Sequence, residues 1–126
     1  MRDDLTLRVE DAGGCLVGRL SGATDLSNAA QLDGQLRNIV ELGERHLVVD
    51  LSETTFLDSA ALAALVSAHH RATVLGGSIR LAGAKGPVRR ILAVTRLDRI
   101  LEHHGDLAAA IAAAFSSDGG DVSRSA

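Results

Sequence analysis

The sequence has few aromatic, sulfur-containing and proline residues. Its 126 residues include two Phe, no Trp or Tyr, one Cys, one Met and one Pro. The single cysteine, Cys15, excludes an internal disulfide, and its apolar neighbours favour a small buried residue over a reactive thiol. With so few aromatic rings, the core has to be built from Leu, Val, Ile and Ala. Hydrophobic residues make up 46% of the chain, which predicts one folded domain.

The sequence also lacks an excess of basic charge and any long apolar run. It has 13 basic and 16 acidic residues, for a formal charge of −3. Because nucleic-acid binding generally requires a basic face, this balance argues against a nucleic-acid partner. No apolar run is long enough to cross a bilayer, and no signal-peptide pattern opens the sequence. We therefore expect a cytoplasmic protein that does not contact a membrane.

The first third of the chain predicts a β-hairpin followed by a helix. Leu5, Leu7 and Val9 alternate with polar residues, which predicts a strand with one buried face. A turn over residues 11–14 leads to a second strand over residues 15–20, because glycine supplies the backbone angles that a tight reversal needs. After a loop over residues 21–25, Asn28 and Gln31 match a capping pair for a helix that ends at Gly43.

Strands and helices then alternate. We predict strands over residues 47–51 and 78–82, and helices over 59–75, from 86 onward and over 107–115. Residues 97–101 fit either a short edge strand or a helical turn. This order is typical of an α/β fold with a mixed, mostly parallel sheet of four or five strands and helices mainly on one side. We expect the domain to span residues 1–115 and residues 116–126 to form a disordered tail.

The stretch over residues 46–66 organises the chain, since it runs from a buried strand through a polar loop into a helix that opens at Asp58 and Ser59. The first N–H groups of a helix have no intrahelical partner, and the helix dipole places positive charge there. A hydroxyl at Ser59 could cap the helix, or it could carry a phosphate. Local spacing alone favours the structural role, in which Ser59 is a helix cap or a first-turn residue, and Asp58 is a second candidate for the cap of the same helix. The crossover rule places Asp25 and Asp58 at the same sheet edge.

Other motifs do not predict an enzyme. Asp58 cannot activate a serine without an intervening histidine. The adjacent His69-His70 and His103-His104 pairs point in different directions, so neither forms a metal site. The loop over residues 83–87 lacks the spacing of a phosphate-binding loop, and Pro87 removes one N–H group. We therefore expect no catalytic residue, no cofactor and no metal. The basic residues between Lys85 and Arg99 suggest a solvated face, with a partner surface left open.

Two motifs together resemble the STAS domain, and within it the anti-sigma factor antagonists. The first is the loop Gly22-Ala23-Thr24-Asp25 before the first helix. The second begins with Val48-Val49-Asp50-Leu51 and continues, after four residues, with Phe56-Leu57-Asp58-Ser59-Ala60-Ala61-Leu62. Gly76-Gly77 and the segments over residues 87–92 and 97–101 also look like the family. The resemblance covers about residues 5–115 and implies a STAS-like fold.

The resemblance further implies a function. In this family, a kinase that is also an anti-sigma factor phosphorylates the serine at the Ser59 position. The unphosphorylated antagonist binds that kinase and releases a sigma factor. Asp25, Asp58, Ser59, Ala60 and Ala61 would then form the partner-binding surface. Ala60 and Ala61 replace a small polar residue and a glycine of the family pattern. Because alanine favours a helix more than glycine does, the helix start is expected to be stiffer. In the first loop, Ala23 replaces an acid.

Two other functions compete with this one. A non-switching STAS scaffold, as a subunit of a signalling or transport complex, needs Ser59 only as a cap. A small enzyme or nucleotide-binding module ranks last, because the sequence lacks a nucleophile–base pair, metal spacing and a phosphate loop. A weak homodimer is left open.

Overall fold

The computed structural model describes residues 5–25, 27–42 and 46–125. Over these residues the chain forms six strands, four α-helices and one 3-10 turn. The strands are β1 (Thr6–Asp11), β2 (Leu16–Ala23), β3 (His46–Asp50), β4 (Thr54–Phe56), β5 (Ser78–Ala82) and β6 (His103–His104). The helices are α1 (Ala29–Glu41), α2 (Ser59–Val74), α3 (Gly86–Val94) and α4 (Leu107–Ser125), and the 3-10 turn is Leu97–Arg99.

The strands form one mixed sheet in the order β1-β2-β3-β5-β6, with β4 paired to the end of β2. β1 and β2 pair antiparallel, as the predicted hairpin requires, and the other pairings are parallel. The predicted mixed, mostly parallel sheet is confirmed, but it has six strands where the sequence predicted four or five. The two extra strands are β4 and β6, which are three and two residues long. Neither contains the apolar run by which a buried strand is predicted.

Helices α1, α2 and α3 cover one face of the sheet, and this confirms the prediction of helices mainly on one side. The core on this face joins large aliphatic side chains from sheet and helices. Its centre is β3 and β5, where Val49 and Leu81 are at most 1% exposed, and α2 adds Leu65 at 0%. At the sheet edge the prediction for β1 was only partly right. Leu7 is half-buried, whereas Val9 is 45% exposed because β1 lies at the end of the strand order.

Helix α4 packs on the opposite face through small side chains. Ala110 and Ala114 are buried there with Cys15, Val17 and Val48. Cys15 is 2% exposed, which confirms the small buried residue that the sequence predicted. Burial raises the pKa of the Cys15 thiol, and the nearby Asp11 carboxylate adds to this increase.

The backbone of α4 continues to Ser125, through residues for which the sequence predicted a disordered tail. The packing contacts that α4 makes with the sheet are described for Leu107, Ala110, Ile111 and Ala114, all of which precede Ser116. The domain boundary near residue 115 and the disorder of residues 116–126 stay predictions, and Ala126 lies outside the described residues. The predicted end of α1 at Gly43 also lies outside them. No described helix is long and apolar enough to cross a membrane.

Candidate functional site

The candidate site lies where β2, the end of β4 and the start of α2 meet. β4 pairs in parallel with the end of β2, with Gly22 opposite Thr54 and Ala23 opposite Phe56. The backbone N–H of Thr24 donates to the Phe56 carbonyl at 3.0 Å. This short pairing carries the loop after β2 to the first turn of α2. It confirms the prediction that the loop around Asp25 and the Asp58-Ser59 pair share one sheet edge.

Thr24 and Asp58 are joined by two reciprocal hydrogen bonds. The Asp58 backbone N–H donates to Thr24 Oγ1 at 2.7 Å, and Thr24 Oγ1 donates to Asp58 Oδ1 at 3.1 Å. Thr24 is only 2% exposed, so both bonds are shielded from water. The sequence analysis did not identify Thr24 as a site residue. Its place beside Asp25 in the loop after β2 did not indicate this function, because a single threonine in a loop belongs to no periodic pattern.

Asp58, and not Ser59, is the N-cap of α2. Asp58 Oδ1 accepts a hydrogen bond from the Ala61 backbone N–H at 2.9 Å, and its backbone adopts the extended conformation typical of an N-cap. Ser59 is the first helical residue and is exposed. Within the described part of the chain, the Ser59 hydroxyl has no hydrogen-bond partner. Of the two structural roles predicted for Ser59, the first-turn position is confirmed and the cap is wrong. The prediction of Asp58 as a candidate cap is confirmed.

Asp25 organises the loop that leads into α1. Its Oδ1 atom accepts hydrogen bonds from the Ser27 N–H at 2.8 Å, the Ser27 hydroxyl at 2.6 Å and the Asn28 N–H at 3.1 Å. The Asn28 side chain faces back into this loop, accepting from the Asp25 N–H at 2.8 Å and donating to the Ala23 carbonyl at 3.1 Å. Asn28 occupies the N-cap position of α1 but makes no side-chain capping bond, so the predicted capping pair with Gln31 is wrong.

The predicted partner-binding residues differ in exposure. Asp25, Ser59 and Ala60 are exposed, and Asp58 is half-buried. Ala61 is 0% exposed, so its methyl group lies in the core and only its backbone N–H serves the cap. Phe56, which the sequence analysis did not propose as a site residue, is 47% exposed three positions before Ser59. An exposed aromatic ring is a candidate contact residue, and Phe56 is one of only two aromatic residues in the chain. That rarity is the sequence signal that could have identified Phe56.

The loop over residues 83–87 behaves as a turn. The backbone N–H of Ala84 donates to His103 Nε2 at 3.1 Å, and the N–H of Gly83 donates to the His104 carbonyl at 3.0 Å. These donors face the protein, so they do not form a phosphate cradle. The Arg89 guanidinium contacts His103 Nδ1. Burial lowers the pKa of His103, and Arg89 lowers it further, because both disfavour the imidazolium form.

His69 links a helix to the sheet. Its Nδ1 atom accepts a hydrogen bond from the backbone N–H of Ile79 at 3.1 Å, which ties α2 to β5. Burial lowers the pKa of His69, and the neighbouring His70 and Arg80 lower it further. His69 is half-buried and His70 is exposed. Among the described residues, no group of three or more His, Cys, Asp or Glu side chains could hold a metal ion.

Comparisons with known proteins agree with this architecture. The family model described as "Mlab, STAS domain" matches residues 7–102. The crystal structure of an anti-sigma factor antagonist from Mycobacterium paratuberculosis is 31% identical, with a TM-score of 0.81 over 89% of this chain and 95% of that one. A Paenibacillus polymyxa protein named anti-sigma F factor antagonist is 25% identical over 78% of this chain and 85% of its own length.

SpoIIAA of Bacillus shares the fold at 15% identity in both its unphosphorylated and its phosphorylated form. The TM-scores are 0.68 and 0.62, over 78% of this chain and 87% and 90% of the two SpoIIAA chains. The chain belongs to the STAS domain family and is of the anti-sigma factor antagonist type.

Proposed function

We propose that this protein is an anti-sigma factor antagonist that is switched by phosphorylation at Ser59. In its unphosphorylated form it binds an anti-sigma factor with serine kinase activity, and this binding releases a sigma factor. Phosphorylation of Ser59 weakens the complex. The protein acts by binding and is not itself an enzyme. The general part of the proposal is supported by the relatives named as anti-sigma factor antagonists.

The observation that supports a switch is that Asp58 caps α2, while the adjacent Ser59 hydroxyl has no structural function. Because Asp58 caps α2 and is itself held by Thr24, the Ser59 hydroxyl is not needed by the fold. It is exposed at the first helical position. A kinase can therefore reach this hydroxyl and modify it without unfolding the domain, because the helix end is held in place by other residues.

A phosphate at Ser59 would meet two opposing local fields. The helix dipole and the N–H groups of the first turn attract it, so the domain itself tolerates the added charge. The Asp58 carboxylate next to it repels it, and a phosphate adds about −1.5 to −2 charges at neutral pH. A partner packed on this edge would have to desolvate both groups. The expected outcome is an intact fold with a weaker complex.

The proposed contact surface comprises Asp25, Asp58, Ser59 and Ala60, with Phe56 at its border. Ala61 is left out because its side chain is buried. The exposed carboxylate of Asp25 and the exposed ring of Phe56 give this edge both a charge and an apolar anchor. Aromatic residues are enriched at protein interfaces relative to the rest of the surface.

The test uses the full chain with the anti-sigma kinase that binds it. Peptide mapping by mass spectrometry after incubation with ATP should place one phosphate on Ser59, and Ser59→Ala should take up none. Ser59→Asp should bind the kinase more weakly in calorimetry. The matched control is Ser67→Asp, which adds the same charge at an exposed position of the same helix. It should bind like the wild type.

Two outcomes would refute the switch. One is phosphate on a different residue, and the other is Ser59→Asp binding as tightly as Ser67→Asp. Either result would favour the non-switching STAS scaffold, which needs the shape of this helix end but no change of charge.

A further inference from the structure

The basic charge of this acidic chain is concentrated in one segment. Residues 85–99 hold five of the 13 basic residues and only one of the 16 acidic ones, so the segment carries +4 in a chain of −3. All five basic side chains, on Lys85, Arg89, Arg90, Arg96 and Arg99, are exposed. The segment comprises α3 and the 3-10 turn after it. Its charge is therefore a surface feature, and the segment does not include Ser59.

Two exposed apolar side chains lie among these charges. Val94 is 75% exposed at the end of α3, and Ile100 is 46% exposed directly after the 3-10 turn. Arg90 lies four residues before Val94, so the two are neighbours on the surface of α3. We call Arg90, Val94, Arg96, Arg99 and Ile100 the α3 surface. It combines exposed aliphatic groups with guanidinium groups, a composition that suits protein interfaces.

Arg96 occupies a backbone conformation that normally favours glycine. Its φ is 61° and its ψ is 22°, in the left-handed region, and among the described residues it is the one non-glycine residue with positive φ. It is the second residue after the end of α3, the position where helices commonly end on glycine. Its backbone is held from both sides, because its N–H donates to the Ala93 carbonyl and its carbonyl accepts from the Arg99 N–H.

No described polar interaction of the Arg96 side chain offsets this strain. In the described part of the chain, the side chains of Arg90, Arg96 and Arg99 make no hydrogen bond or ion pair. A left-handed arginine is less stable than a glycine at the same position. Its guanidinium therefore occupies this position at a cost to stability, which favours a function that involves a group outside the chain.

We infer that the α3 surface docks an acidic segment of a partner protein that also carries exposed aliphatic side chains. Four of the five bases in residues 85–99 are arginine, whose planar guanidinium binds carboxylates in a two-point geometry. Val94 and Ile100 supply the apolar contacts between these charges. The surface lacks Ser59, so the inference does not depend on the proposed switch.

The charge of the rest of the chain favours a protein segment over an extended polyanion. Outside residues 85–99 the chain carries eight basic and 15 acidic residues, or −7. A membrane surface or a nucleic acid is large enough to meet that acidic remainder as well. A short acidic segment meets only the local positive charge, because interactions beyond about 8–10 Å are screened at physiological salt.

The test measures fluorescence anisotropy of two labelled amphipathic peptides of about 18 residues with equal numbers of glutamates. One peptide has leucines on its apolar face and the other has alanines. We expect the full-length protein to bind the leucine peptide more tightly than the alanine peptide. Arg96→Gly should unfold at a higher urea concentration and yet bind about two- to fivefold more weakly, the range of one exposed ion pair. Arg96→Lys should keep most of the binding.

Two more variants separate the charge from the apolar contacts. Val94→Ser should reduce the preference for the leucine peptide. The matched control is Arg8→Gln, which removes an exposed arginine on β1 and should change neither binding nor preference. Equal binding by Arg96→Gly and the wild type would overturn the inference, as would equal affinity for the two peptides.

Tighter binding to phosphatidylserine vesicles or to a random DNA duplex than to the leucine peptide would also overturn it. So would self-association in sedimentation experiments that is lost in Arg96→Gly, because the occupant would then be a second copy of this chain.

Discussion

Thr24 and Asp58 are 34 positions apart in the chain and hold each other by two hydrogen bonds, of 2.7 and 3.1 Å. The threonine hydroxyl both accepts from the Asp58 backbone and donates to the Asp58 carboxylate. The same carboxylate caps α2. The position of the helix end, and with it that of Ser59, therefore depends on a side chain in the loop after β2.

Replacing Thr24 tests this dependence. Thr24→Val keeps the shape of the side chain, leaves the Asp58 N–H without its acceptor and removes one of the two hydrogen bonds to Asp58 Oδ1. It should lower the free energy of unfolding by about 1–3 kcal/mol. Urea titration measures this change. Thr55→Val is the matched control, since Thr55 is exposed and should tolerate the change within about 0.5 kcal/mol. Equal effects of both variants would mean that the Thr24 hydrogen bonds add no net stability.

The cap assignment predicts different costs at two adjacent positions. Asp58→Ala removes the acceptor for the Ala61 N–H and should destabilise the protein by about 0.5–2 kcal/mol. Ser59→Ala removes an exposed hydroxyl and should be nearly neutral, because alanine also favours the helix. Thermal or urea unfolding of both variants measures the difference. If Ser59→Ala were the more costly of the two, the serine would be the cap after all.

Leu65 should contribute strongly to the free energy of unfolding through its contact between α2 and the sheet. It is 0% exposed in the larger core, so Leu65→Ala should cost about 2–5 kcal/mol from lost burial and a residual cavity. Val74→Ala near the end of the same helix is the control, since Val74 is 84% exposed and should matter little. Denaturant titration of the two variants decides the matter, and a loss of a few tenths of a kcal/mol at Leu65 would refute the assigned face.

Two half-buried histidines, His69 and His103, predict a loss of stability in mild acid. The pKa values of His69 and His103 in the folded state lie below the ordinary value of about 6.5, since burial disfavours their charged forms. Their neutral forms therefore stabilise the fold above pH about 6.5. As the pH falls from there through the folded-state pKa values, the unfolded chain binds protons first and this stabilisation is lost.

Urea midpoints at pH about 7.5 and about 5.5 measure the effect. His69→Gln should make the difference between the two midpoints smaller, and the exposed His70→Gln should leave it almost unchanged. A difference that is the same in His69→Gln as in the wild type would show that other groups cause the acid sensitivity.

Removing residues 116–126 should leave the melting temperature nearly unchanged, because the described contacts of α4 with the sheet end before Ser116. The reactivity of Cys15 toward a thiol reagent gives a second readout, since its burial beneath α4 and its raised pKa both slow the reaction. Faster labelling or a large drop in melting temperature would show that the segment holds α4 in place.

The sequence predicted the parts of the fold that have an apolar period. Strands β3 and β5 and the apolar face of α2 follow from runs of Leu, Val, Ile and Ala. The short strands β4 and β6 were not predicted, since Thr54–Phe56 lies in a polar stretch and His103–His104 has no apolar residue. Residues 97–101, which fitted a strand or a helical turn, contain the 3-10 turn.

The site was predicted less completely than the fold. The prediction that Asp25 and Asp58 lie at one edge of the sheet was right, because it depends only on the order of the strands and helices. The sequence did not assign the cap, because Asp58 and Ser59 are both good capping residues and only the geometry decides between them. Thr24 could not be found, since its importance arises from a contact across 34 positions. Asn28 was assigned as a capping residue because its spacing from Gln31 says nothing about the Asp25 loop that its side chain contacts.

The unequal packing of the two sheet faces has a consequence for the motions of the molecule. α1, α2 and α3 are anchored by large buried aliphatic side chains, whereas the buried side chains of α4 are Ala110 and Ala114, with Leu107 and Ile111 only partly buried beside them. Each alanine buries far less apolar area than a leucine, so lifting α4 away costs less free energy than opening the other face. We therefore expect that local opening detaches α4 first, while the sheet stays paired and Ser59 keeps its position. Amide exchange in α4 would proceed through this opening, ahead of global unfolding.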